Sequence, residues 1–188
     1  MPTVHTVADY NPDFAVALGR FAEACCILER SLESALFRIL PITDHIGRVL
    51  LSGNQMRRNA EILRALAILP DVPLSDSQRT LIETLTQRIN AVNADRSRLL
   101  HNPVIDGDND VLAIVQHKQD GTGSSMMPIT THEIVGFAAE AKAISWELIT
   151  HLPRLEYDLS KWVPAAPSYP TKPYPKRQSP RQKRETRK

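Results

Sequence analysis

The chain is poor in cysteine. Its two, Cys25 and Cys26, are adjacent and cannot staple distant segments, so a reducing, cytoplasmic setting is expected. Seven glycines in 188 residues are few, which argues against a turn-rich sandwich. No apolar run approaches the roughly 18 residues of a membrane span, and no membrane partner is expected. The N-terminal stretch MPTVHTVADYNPDF lacks a basic flank followed by an apolar run, so no secretory signal is expected. Walker loop, dinucleotide fingerprint and serine-hydrolase elbow are missing. Asp106, Asp108 and Asp110 imitate the start of a calcium loop, but Val111 stands where glycine is needed and His117 where the closing glutamate belongs. His117 and His132 flank loops and form no ligand cluster. Neither a metal nor a cofactor is expected.

Net charge is also small, formally +2, but it is unevenly placed. From Ser160 onward nine Lys or Arg face one acid, Glu185; residues before that point hold 14 basic and 20 acidic side chains. An acidic body thus carries a basic tail. From Trp162 the tail holds six of the 14 prolines and no apolar period, so it cannot bury enough surface to offset its ordering entropy. The expected organisation is a flexible arm over 1–10, one helical domain over 11–159 and a disordered Pro/Lys/Arg-rich tail over 160–188.

What the body does contain is helical periodicity. Asn11-Pro12-Asp13 reads as an N-cap, a first-turn proline and an acid suited to the helix dipole. Phe14, Leu18, Phe21, Cys25, Leu28, Leu32, Leu36 and Ile39 then recur every three or four residues until Pro41. Thr43 and Gly53 bracket a short helix, and Asn54 is placed to cap another running to Leu69. Ser75-Asp76-Ser77-Gln78 has capping-box spacing and opens a helix to His101, with Leu81, Ile82, Leu85, Ile89, Val92, Leu99 and Leu100 as its apolar set. Val104-Ile105 and Val111–Val115 read as short strands around a DGDND turn, with Met126–Ile129 a candidate third. Thr130 to Glu133 repeats the capping box and starts a last helix to Leu152, on which Trp146 is expected to pack. The fold class is all-α: four main helices, a short extra helix and a small β-hairpin insertion before the last helix.

The chemistry concentrates at the end of the fourth main helix, QRINAVNADRSRLLHNP. At about 100° per residue, Asn90, Asn93, Ser97 and His101 share one polar face. Arg96 projects into the apolar stripe, where a permanent charge needs a carboxylate or an anion. Glu29, which borders the first helix's stripe, is the first candidate partner and Glu33 the second. At the helix C-terminus the dipole favours the imidazolium of His101, beside Arg96 and Arg98, which suits proton transfer on a phosphodiester. The plain alternative is that Arg96 forms a structural ion pair and His101 caps the helix. Cys25 and Cys26 are expected to be core and interface atoms rather than nucleophiles.

An all-α body with N-x-x-R-S-x-x-x-H at a helix end resembles the HEPN domains (higher eukaryotes and prokaryotes nucleotide-binding). Their signature is Arg, usually followed by Asn, Asp or His, then His after four to six intervening residues. Arg96 and His101 match it, Ser97 departs from the usual residue, and Asn93, Arg98 and Glu29 are supporting positions. The resemblance implies a metal-independent endoribonuclease or RNA-binding protein, of the kind found in toxin or antiphage systems, with two protomers pairing their motifs as a homodimer. Arg96 would hold the scissile phosphate, His101 would move protons for attack by the ribose 2′-hydroxyl, and Ser97 would orient them. The alternative function is a non-catalytic helical module that binds a protein partner.

Overall fold

Asn11 Oδ1 accepts the Phe14 amide at 2.9 Å with Pro12 at the first turn, and helix α1, Pro12–Ile39, starts where the sequence places it. The computed structural model describes residues 11–40, 42, 44–51, 55–102, 104–106, 112–117 and 123–155, all in the first of two units, Met1–Tyr157. The expected arm over 1–10, the Thr43, Gly53 and Asn54 signals, Asp108, Asp110 and the basic tail lie outside the described residues. After α1 come α2, Asp44–Leu51, α3, Met56–Ile68, and α4, Asp76–His101. Three strands follow, β1 Val104–Asp106, β2 Leu112–His117 and β3 Ser124–Ile129, and then α5, Thr131–His151. The chain is mostly helical, with one small antiparallel sheet.

Both capping boxes form. Ser75 Oγ accepts the Gln78 amide and the Gln78 side chain accepts the Ser75 amide; Thr130 and Glu133 repeat the exchange at α5. At α3 the cap is Gln55, whose side chain makes no capping bond, and not the expected Asn54. The insertion is a three-stranded sheet in the order β1-β2-β3, so the hairpin gains the third strand that Met126–Ile129 suggested. Leu112, Ile114 and Ile129 turn into the core, while β3 is otherwise exposed and carries Pro128, a residue tolerated at a sheet edge.

Contacts along the helices give their directions. Phe21 meets Phe137 at 6.0 Å between ring centroids near the starts of α1 and α5. At their far ends the Arg38 guanidinium donates to the carbonyls of Ile149 and Leu152. These two helices therefore run parallel. Arg98 sits over Phe137, whereas Arg88, earlier in α4, reaches Glu140 and Glu147, so α4 is antiparallel to α5. Arg64 pairs with Glu83, and Arg79 donates to the carbonyls of Ala67, Leu69 and Val72, which sets α3 antiparallel to α4. α1 and α3 are thus parallel, and α2, which links them in the chain, comes close to α1: a Cβ at Gly47 would collide with the Phe37 ring.

The core follows the stripes. Phe14, Phe21, Cys25, Leu28, Leu32, Leu36 and Ile39 of α1 are buried, as are Ile82, Leu85, Ile89, Val92 and Leu99 of α4. Three expectations fail. Trp146, expected to pack, is 67% exposed; Cys26 and Leu100 also face outward. Each is displaced by roughly one step of the helical wheel from the buried set on its helix, and no described element covers that side. Among the described residues no helix is long and apolar enough to cross a membrane.

Candidate functional site on helix α4

α4 touches neighbours on three sides, and its motif residues divide among them. In the direction of α1, Arg96 Nη1 donates to Glu29 Oε1 at 2.9 Å, with side chains 30% and 31% exposed. This is the pairing chosen by the stripe argument: the charge sits at the centre of an apolar face and meets the carboxylate that borders the opposite one. Cys25 lies in the same field. Burial pushes its thiol up to about 11, the Arg96 charge opposing and the Glu29 charge reinforcing that rise. A thiol so protonated is no nucleophile at neutral pH.

Towards α5 stands Arg98. Its Nη2 donates to Asp95 Oδ1 at 3.0 Å and its guanidinium lies 5.6 Å from the Phe137 ring centroid, a cation–π contact. Burial raises the Asp95 carboxyl above its ordinary value, with Arg98 pulling the other way. Among the described residues Arg98 Nε is buried without a hydrogen-bond partner. Arg98 thus seals the α4–α5 seam and does not join the polar face.

On the third side the polar face opens into a groove of about 580 Å³ between α3 and α4. Asn90, Asn93 and Ser97 line it from α4 and Arg57, Glu61 and Arg64 from α3, over a floor that includes Ala60, Thr86 and Ala94. The arginines are held by exposed pairs: Arg57 with Glu61 at 3.1 Å and Arg64 with Glu83 at 2.8 Å. Such pairs are worth at most about 1 kcal/mol, so an incoming anion can displace them. Two hydrogen bonds from Arg64 and Gln87 hold the Glu83 carboxyl below its ordinary value.

His101 is exposed in the last turn of α4, one turn beyond Ser97, and makes no side-chain hydrogen bond or ion pair among the described residues. The expected capping role falls to Asn102, whose Nδ2 donates to the carbonyl of Arg98 at 2.9 Å. Since α4 remains helical through His101, Arg96 and His101 point about 140° apart around its axis. Within one chain, then, Ser97 and His101 share a face, while Arg96 is turned towards Glu29.

Arg57, Glu61 and Arg64 were not singled out from sequence. Their signal is a run of charges at i, i+4 and i+7 beside the buried Met56, Ala60, Leu63 and Ala67. It becomes informative once α3 is known to face the Asn93–Ser97 side of α4. Among the described residues no three of His, Cys, Asp or Glu gather to hold a metal ion. The chain matches no protein-family model, no curated protein and no solved structure.

Proposed function

We propose that this chain is a HEPN-like RNA-binding protein that cleaves RNA without a metal, using the face of α4 that carries Asn93, Ser97 and His101. The observation that supports this most is the groove: neutral hydrogen-bonding side chains on one wall, two guanidiniums in weak exposed pairs on the other. That combination suits a ribose–phosphate backbone, with Arg57 and Arg64 exchanging carboxylate for phosphate and the amides meeting ribose hydroxyls. His101, one turn on, would take the proton of a 2′-hydroxyl as its oxygen attacks the adjacent phosphorus. The 5′-oxygen then leaves with the proton returned by the His101 imidazolium, giving a 2′,3′-cyclic phosphate and a 5′-hydroxyl. The nine basic residues after Ser160 add sequence-independent attraction to phosphates.

The Arg96–Glu29 pair favours a second reading, a non-catalytic module that binds a protein partner, because it withdraws the signature arginine from His101. One experiment separates them. Mixed-sequence RNA is incubated in EDTA with the wild type and with His101→Ala, and melting curves verify both folds. Cleavage by the wild type, reduced about 10²–10⁴-fold in the variant, supports catalysis. Cleavage that survives in the variant moves the site elsewhere. RNA left intact and unbound by the wild type passes the function to the second reading.

A further inference from the structure

We infer that the outward face of α1 is a homodimer interface, pairing antiparallel with the same face of a second copy. Asp13, Val16, Arg20, Glu23, Ile27 and Arg30 are all exposed, and at about 100° per residue they fall within about 60° of Val16 on the wheel. Place a two-fold axis across the helix midway between positions 21 and 22. Asp13 then faces Arg30 of the second copy, Arg20 faces Glu23, and Val16 faces Ile27. Every charge meets its opposite, and the two exposed aliphatic side chains, 53% and 41% accessible, meet each other. This is the self-complementarity that a two-fold interface requires.

Two further observations support the pairing. Among the described residues none of the four charged side chains makes an ion pair, although ion pairs link other charges on α3, α4 and α5. Gly19, on the same face, has open space where a Cβ would be. A glycine inside an exposed helix is destabilising relative to alanine. Among the described residues nothing packs there to call for it, whereas a second helix crossing there would approach more closely for the missing side chain. The exposed stripe around Trp146 on α5 shows no such charge symmetry. The pairing does not depend on the proposed function. It differs from the motif-to-motif dimer implied by the HEPN resemblance, since α3 and α4, which form the groove, take no part.

The test is a charge swap on the full chain, read by sedimentation equilibrium across the micromolar range with circular dichroism as the fold control. Wild type is expected to dimerise. Arg20→Glu and Glu23→Arg should each weaken dimerisation about tenfold or more, because each sets like charges opposite one another twice. The double variant Arg20→Glu/Glu23→Arg should restore it, an outcome that a role confined to one chain does not produce. A wild type that stays monomeric at 100 μM overturns the inference. So do single variants that dimerise as wild type does, a double variant that stays dissociated, or a dimer broken by Trp146→Ser and untouched by the charge changes.

Discussion

At the scale of single residues, Arg96 shows how a charge can occupy the middle of an apolar stripe. Its side chain is about two-thirds buried, and its guanidinium hydrogen-bonds the Glu29 carboxylate. Truncating either partner leaves the other half-buried and unpaired, so Arg96→Ala and Glu29→Ala should each destabilise the chain. The double variant should lose less than the two losses together, with a coupling of about 1 kcal/mol in a denaturant-unfolding cycle. Strict additivity would mean that the pair contributes nothing to folding. The same cycle bears on the site, because an arginine held for the fold is less available to a phosphate.

At the scale of elements, the ends of the helices carry much of the local specificity. α3 has no basic residue in its last turn, and its end is met from outside by the Arg79 guanidinium, which gathers the carbonyls of Ala67, of the C-cap Leu69 and of Val72 in the turn that follows. Arg38 does the same for the end of α5. Hydrogen bonds from a charged donor are worth about 1.5–3 kcal/mol each when shielded, and these are partly exposed, so Arg79→Ala should cost about 2 kcal/mol. Loss of the Ser75 cap in Ser75→Ala should cost about 1 kcal/mol. For a domain of this size each kcal/mol lowers the melting temperature by about 2–4 °C. Thermal melting should therefore rank Arg79→Ala below Ser75→Ala; the reverse order would refute the external cap as the stronger device.

At the scale of the whole molecule, Arg88 ties α4 to α5 by donating to Glu140 and Glu147 at 2.7 Å each. The Arg88 hydrogen bond holds the Glu140 carboxyl below its ordinary 4.5, and the Thr130 amide and hydroxyl do the same for Glu133. The sign follows directly. Groups with lowered folded values contribute stability that is present above about 4.5 and lost as pH falls through the folded values. Asp95, raised by burial, acts in the opposite sense near its ordinary 3.8 and offsets part of that loss. Acid titration followed by circular dichroism should thus show stability falling below about pH 4.5, with a shallower fall in Glu140→Gln. An identical slope in the variant would remove Arg88–Glu140 as a source of acid sensitivity.

By itself the sequence determined the four main helices and the starts of three of them, because cap chemistry and a 3.6-residue apolar period are local: Asn11, Ser75 and Thr130 act within three residues of themselves. It also pointed to Glu29 for Arg96, since both positions can be placed on core-facing sides of their own helices. What it left open was which helix faces which, a matter of long-range packing. That packing left Trp146 and Cys26 outside, took Arg98 to Phe137, and brought Arg57 and Arg64 across from Asn93 and Ser97. Among the described residues it also left the outward side of α1 without a covering element. A helical wheel gives direction about one axis, and the groove exists only once two axes are set side by side.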